Sequence, residues 1–231
     1  MIRFQDTTEK KDTAEFLSSP VLKEVKSDTV TPEEARDFWD AVFSNEPVPV
    51  QELTMDDLVS EIYGRTEDEF EFDVKIDPKT QAILDHFNIA AWDRLSDDEK
   101  MALVEALAKA IGKELDLEKI PEIQYFEGPL NNQGAYDPED RTISINKALL
   151  NDPKALVETL PHELRHAYQR ERSLKQETWM DLLYTVNLDP DYYISPVALP
   201  DGKWLFFTDY YDQLVEAEAR AYANVYAKEE A

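Results

Sequence analysis

The sequence HELRH at positions 162–166 constrains this chain more than any other feature. It lies within residues 153–172, where apolar residues recur at helical spacing, so we expect a helix there. Because successive helical residues are about 100° apart, His162 and His166 lie about 40° apart on one face, one turn from each other. We therefore expect both imidazoles to reach a single tetrahedral zinc ion, Zn2+.

Glu163 follows the first histidine, beside the expected metal but not on it. A carboxylate in this position can take a proton from zinc-bound water, whose pKa is already lowered to about 7, and pass it to a leaving amine. The motif thus predicts a zinc-dependent hydrolase with Glu163 as its catalytic residue. His86 stands alone beside apolar residues, and we interpret it as structural.

A catalytic zinc site needs a third protein ligand and an open position. The chain contains no cysteine, so this ligand must be His, Asp or Glu. Glu216 and Glu218 belong to a helix that we expect over residues 209–228, and they are about 200° apart, so only one can point at the metal. Periodicity mildly favours Glu218, which shares a face with Leu214 and Tyr222, so the residues alone leave the choice open.

The segment HELRHAYQ, the strand-like RTISIN before it and the ExEA segment of the last helix together resemble the gluzincin branch of the zincins. These are HExxH zinc metallopeptidases, and the resemblance covers about residues 120–231. It implies that His162 and His166 are zinc ligands, that Glu163 is the general base, and that a glutamate of the last helix is the third ligand. The implied activity is hydrolysis of amide bonds in a peptide or protein substrate.

The resemblance also bears on the choice of the third ligand. In several such families, a polar residue that supports the glutamate ligand follows it four positions later. Glu216 followed by Arg220 fits this pattern better than Glu218 followed by Tyr222. We therefore predict that Glu216 is the third metal ligand.

Local patterns predict an α+β fold with a small sheet. Together with the resemblance, they imply a zincin-like domain over residues 78–231, preceded by an acidic, partly helical extension over residues 1–77. Helices are expected over residues 31–43, 55–63 and 96–115, and strands over 123–126 and 141–146. The segment TEDEFEFDVKIDP, residues 66–78, alternates acidic with apolar residues and predicts an exposed strand. The turn-rich segment GPLNNQGAYDPED is interpreted as a loop.

Several residues have two interpretations. Residues 173–207 form either a lid over the cleft or an insertion that packs Trp179, Leu182 and Leu183 on the core. RTISIN is either an edge strand that pairs with an extended peptide or an interior strand. Two roles are open to each of Tyr210, Tyr211 and Tyr222: the hydroxyl donates a hydrogen bond to a tetrahedral oxyanion, or the ring packs in the core.

Fifty acidic and 24 basic residues give a formal net charge of -26. Such a charge repels nucleic acids and anionic membranes, so we expect neither as a partner. The sequence contains no signal-peptide or transmembrane pattern, so we expect a cytoplasmic protein. Two further hypotheses are a catalytically weak or inactive zincin-derived module that docks a basic protein, and a peptidase whose acidic N-terminal arm covers its own cleft.

Overall fold

The computed structural model describes residues 54–199 and 203–227, and the helix expected over residues 31–43 lies outside them. Short 3-10 helices occur at Glu67–Glu69, Asp85–Phe87 and Lys147–Asn151. The α-helices of the described residues, in chain order, are α1 (Met55–Glu61), α2 (Pro78–Leu84), α3 (Ile89–Trp92), α4 (Asp97–Glu114), α5 (Pro153–Lys175), α6 (Trp179–Asn187), α7 (Phe207–Tyr211) and α8 (Leu214–Ala227).

Capping side chains explain where two predicted helices begin. Thr54 accepts a hydrogen bond from the backbone of Asp57, whose carboxylate returns one to the Thr54 backbone, and this capping box starts α1. Ser96 and Glu99 form the same reciprocal pair at the start of α4. Both helices were predicted from the sequence, and both predictions are confirmed.

A three-stranded sheet supports the long helix α5. Its strands are β1 (Glu122–Phe126), β2 (Gly134–Asp137) and β3 (Thr142–Asn146), in the order β1-β3-β2. β3 pairs with β1 in parallel and with β2 antiparallel. Because β3 is central, the hypothesis that RTISIN is an edge strand open to a peptide is wrong, and the interior alternative is confirmed.

Strand β2 was not predicted, because its sequence lies within a turn-rich segment. A Cβ atom added at Gly134 would lie 2.8 Å from Cγ2 of Thr159 on α5, closer than a normal contact. The missing side chain therefore lets β2 approach the helix that carries the HELRH sequence. A separate two-stranded sheet pairs β4 (Val197–Ala198) with β5 (Trp204–Leu205).

The described residues form an α+β structure with two hydrophobic clusters. The larger cluster joins α4, α5 and the sheet, and includes Phe72 and Val74 at its edge. The smaller cluster joins α1 to α6 and the start of α8. Trp179, Leu182 and Leu183 lie in this smaller cluster, so their predicted core packing is confirmed. Packing crosses the boundary that the sequence suggested between residues 77 and 78.

The predicted strand over residues 66–78 is wrong. Glu67–Glu69 is a 3-10 helix, and the rest of this stretch has no strand assignment. Burial nevertheless alternates along it, since Phe72, Val74 and Ile76 pack against the larger cluster. The period-2 pattern therefore reflects an extended chain lying on a core without a partner strand.

The predicted final helix is divided in two. α7 ends at Tyr211 and α8 begins at Leu214, whose backbone N–H donates to the carbonyl of Ile62 at 2.8 Å. The next N–H, of Val215, donates to the side chain of Asn187 at 3.0 Å. Distant residues thus satisfy the first N–H groups of α8.

Helix α5 continues through Pro161, immediately before the HELRH sequence.

No helix among the described residues is both long and apolar enough to cross a membrane.

Candidate metal centre

The predicted ligands meet where α5 packs against α8. His162 and His166 lie one turn apart on α5, and Glu216 lies in the first turn of α8. These three residues form a group that could hold a metal ion. The side chain of Glu216 is only 2% exposed, whereas those of His162 and His166 are 16% and 14% exposed. Solvent therefore reaches the group from the side of the two histidines.

The distances between the three side chains suit a small tetrahedral cation. Nε2 of His162 lies 3.0 Å from Nε2 of His166. Glu216 places Oε2 3.4 Å from Nε2 of His162 and Oε1 3.5 Å from Nε2 of His166. Two ligand atoms about 2.0–2.1 Å from a tetrahedral zinc would be roughly 3.3 Å apart. The donor set and its spacing therefore fit zinc, although other divalent cations use the same ligands.

The negative charge of Glu216 dominates the electrostatics of the group. Burial by itself would lower the pKa of His166, but the nearby Glu216 carboxylate outweighs it and raises that pKa to about 9. Burial would likewise raise the pKa of Glu216, yet the two imidazoles hold it well below its usual value. The site thus favours a positive charge between these side chains.

Glu163 is buried beside the candidate ligands. Its charge helps to raise the pKa of His166, after the larger effect of Glu216. It also helps to raise the pKa values of Tyr193 and Tyr210, after the larger effects of burial and Glu216. Throughout residues 54–199 and 203–227, no hydrogen bond or ion pair holds the Glu163 carboxylate. The carboxylate is therefore available to a water molecule or a substrate group.

Two tyrosines border the group. The Tyr193 hydroxyl donates to Oε1 of Glu216 at 2.8 Å, and the rings of Tyr193 and Tyr210 are 6.3 Å apart. Burial, followed by the charge of Glu216, raises the pKa of both hydroxyls far above the usual value, so both remain protonated donors. Sequence reasoning singled out Tyr210 but missed Tyr193, which no motif or periodicity distinguishes.

The other two candidate tyrosines lie elsewhere. Tyr211 donates to Glu67 at 2.8 Å, and the hydroxyl of Tyr222 pairs with that of Tyr226 at 2.9 Å within the core. The expectation that Arg220 supports Glu216 is also not met, since Arg220 donates to Glu67 at 2.8 Å and to the carbonyl of Tyr211. Arg220 instead ties α8 to the 3-10 helix at Glu67–Glu69.

Glu218, the alternative ligand, has a different environment. One of its oxygens accepts hydrogen bonds from Arg165 and from Tyr184, the latter at 2.7 Å. The other accepts from Gln169 at 2.6 Å. Glu218 is absent from the group that could hold a metal ion, so periodicity correctly predicted its burial, but the glutamate in that group is Glu216.

Gln169 connects the two environments and was missed from the sequence. Its Oε1 lies 2.8 Å from Nδ1 of His166, while its Nε2 bonds Glu218. A glutamine three positions after the second histidine was the available signal, because residues i and i+3 are neighbours on a helix.

Two other features lie apart from the group. His86 is exposed in the 3-10 helix Asp85–Phe87. A cleft of about 400 Å³ lies on a different face of α5, lined by Phe72, Arg165, Tyr168 and Tyr222 among others. None of the three candidate ligands lines this cleft, so its size gives no information on the metal centre.

Comparisons of the chain with models of known protein families, with curated proteins and with solved structures give no match.

Proposed function

We propose that this chain is a zinc-dependent hydrolase of the zincin type that cleaves amide bonds in a peptide or protein substrate. The observation that carries the proposal is the convergence of His162, His166 and Glu216, with ligand atoms 3.0, 3.4 and 3.5 Å apart. Glu163 adds a buried carboxylate beside these ligands. A metal centre with an adjacent base is the arrangement required for hydrolysis by activated water.

The two histidines and Glu216 would hold the ion. Bound zinc would polarise a carbonyl oxygen and lower the pKa of a water molecule. Glu163 would accept the proton of the attacking water as the water oxygen bonds to the carbonyl carbon. When the carbon–nitrogen bond breaks, Glu163 would deliver this proton to the leaving nitrogen.

Tyr210 would assist as a hydrogen-bond donor. It is largely buried near Glu163 and hydrogen-bonded to Glu216, and its hydroxyl is protonated at neutral pH, with a pKa raised further by burial and the charge of Glu216. A neutral hydroxyl aimed at the developing oxyanion lowers the barrier without changing the charge of the site. Tyr193, which already donates to Glu216, would hold that carboxylate in place.

Metal content is the first test of this proposal. Purified protein should contain about one zinc per chain, measured by elemental mass spectrometry after dialysis against zinc and then buffer. His162→Ala and Glu216→Ala should lose the metal, whereas Glu218→Ala should retain it if it folds. Absence of zinc from the unaltered protein would contradict the proposal directly.

Activity needs a separate test, because zinc alone does not imply turnover. The zinc-loaded protein would be incubated with a library of proteome-derived peptides, and new termini would be identified by mass spectrometry. Glu163→Gln is the matched control, because it preserves size and all three ligands but removes the base. We expect its cleavage rate to fall by about 10²–10⁴-fold with unchanged zinc content.

A second candidate function is an acidic protein-binding module derived from a zincin. The net charge of -26 favours this alternative, since it would attract a basic partner. Zinc would then be structural or absent. If the zinc-loaded protein cleaves no peptide, and Glu163→Gln gives the same peptide products as the unaltered protein, the binding module becomes the better description.

A further inference from the structure

We propose that Gln169, anchored by Glu218, positions His166 for metal binding by deciding which of its ring nitrogens carries hydrogen. The inference rests on the proposed metal centre and assigns a role to residues outside the HExxH pattern. Gln169 would not touch substrate or metal, so it is a positioning residue rather than a catalytic one.

The Gln169 amide has one possible orientation. Gln169 is fully buried, and its Nε2 lies 2.9 Å from the carbonyl of Val215 and 2.6 Å from Oε2 of Glu218. A carbonyl and a carboxylate oxygen only accept hydrogen bonds, so the group facing them must be the NH₂ of the amide. Reversing the amide would place its oxygen against two acceptors, the Val215 carbonyl and Glu218, and would remove the donor that both now share.

The fixed amide in turn determines the hydrogen on His166. Oε1 of Gln169 lies 2.8 Å from Nδ1 of His166 and can only accept, so Nδ1 must donate. In the neutral ring, the other nitrogen, Nε2, then has a free lone pair. Nε2 is the atom that faces His162 and Glu216. Gln169 therefore selects the tautomer that can bind a metal at the shared position.

The anchor of Gln169 is itself rigidly held. Glu218 is ion-paired with Arg165 and accepts from Tyr184, and all three side chains are buried. The Arg165 guanidinium lies between aromatic rings, 4.1 Å from the ring centre of Tyr168 and 4.9 Å from that of Phe72. Arg165 lies inside the HELRH sequence. It thus acts on the candidate metal centre indirectly, by holding Glu218, which in turn anchors Gln169.

The first measurement uses the unaltered protein. Long-range ¹H–¹⁵N NMR correlations distinguish the two ring nitrogens of each histidine, and exposed His86 supplies an internal reference. In the zinc-loaded protein, we expect His166 to carry hydrogen on Nδ1 and to bind zinc through Nε2. Zinc coordination through Nδ1, or hydrogen on Nε2, would overturn the inference.

The second measurement is the zinc dissociation constant, obtained by competition with a chromophoric chelator. Gln169→Met keeps the length of the side chain but removes every hydrogen bond, and we expect zinc affinity to fall by about 10–100-fold. Ser173→Ala is the control: Ser173 is also buried, one turn further along α5, and its hydroxyl bonds only the Arg170 carbonyl in the described structure. Its zinc affinity should stay within about twofold of the unaltered protein.

The outcomes separate the two proposals. If the unaltered protein binds no zinc, the metal centre itself is rejected. If it binds zinc and Gln169→Met binds equally well, only the positioning role is rejected. Circular dichroism would establish that the variant is folded, and the NMR result on the unaltered protein decides the question if it is not.

Discussion

Glu216 and Glu218 lie two residues apart on α8 and are almost equally buried, with 1% and 3% of their surface exposed. Their surroundings differ in kind. Glu218 faces three hydrogen-bond donors, on Arg165, Tyr184 and Gln169. Glu216 faces the Nε2 atoms of two imidazoles and the hydroxyl donors of two tyrosines, Tyr193 and Tyr210.

The difference shows how a buried carboxylate can serve as either support or ligand. Protein donors already satisfy Glu218, so an added cation would have to displace them. Glu216 converges with other lone pairs, and such a set is favourable only if a proton or a metal ion lies between its members. Burial alone therefore does not identify a metal ligand, whereas the chemistry of the neighbouring atoms does.

The largest expected effect comes from neutralising each glutamate in turn. Glu218→Gln leaves Arg165 as a buried, unpaired charge, and should lower the free energy of unfolding by about 3–5 kcal/mol. Glu216→Gln should cost the metal-free protein less, but should weaken zinc binding by more than about 100-fold, beyond the usual effect of an outer partner. Urea unfolding and chelator competition would measure the two effects.

Asp181→Asn supplies a control for this pair of variants. Asp181 of α6 is buried and paired with Arg172 of α5 at 2.7 Å, but it has no contact with the candidate ligands. It should lose stability without losing intrinsic zinc affinity. If Glu216→Gln and Glu218→Gln change zinc affinity equally, the contrast between the two glutamates is incorrect.

The next largest expected effect is a pH dependence of the free energy of unfolding. It arises from the interaction of Glu216 with His166 and not from the Arg165–Glu218 pair. Glu216 raises the pKa of His166 from 6.5 to about 9 in the folded, metal-free protein. This stabilisation is complete below about pH 6.5 and is lost as the pH rises through about 9, a change on the order of 3 kcal/mol. The Arg165–Glu218 pair contributes no such slope, because arginine remains charged throughout.

Unfolding free energies at several pH values between 6 and 10, in the presence of a chelator, would measure this slope. His166→Ala should remove most of it, whatever its effect on stability at a single pH. A slope that survives in His166→Ala would assign the pH dependence to other groups.

The smallest expected effect concerns Tyr193, one of the two tyrosines bonded to Glu216. Tyr193→Phe removes the hydroxyl that donates to Oε1 of Glu216 at 2.8 Å. Zinc affinity should fall by about tenfold, the lower end of the range for such partners. Tyr192→Phe is the matched control, because its ring packs on the smaller cluster and its hydroxyl has no bond to Glu216. Equal affinities in the two variants would show that Tyr193 does not support the ligand.

Local sequence signals predicted those elements whose stabilising contacts are also local. The Thr54 and Ser96 caps lie within a few residues of the helices that they start. The break between α7 and α8 was missed, since α8 depends on the carbonyl of Ile62 and the side chain of Asn187. Strand β2 was missed for a related reason: it exists through pairing with β3, while its own sequence is typical of a turn.

The residues of the candidate site show the same distinction between local and distant contacts. The sequence by itself determined that His162 and His166 share a helical face with Glu163 beside them, because the helical repeat fixes the relation between residues one to four positions apart. Only the tertiary structure decided that Glu216 faces the histidines while Glu218 holds Gln169 and Arg165. That choice depends on the rotation of α8 against α5, and packing between distant parts of the chain sets this rotation.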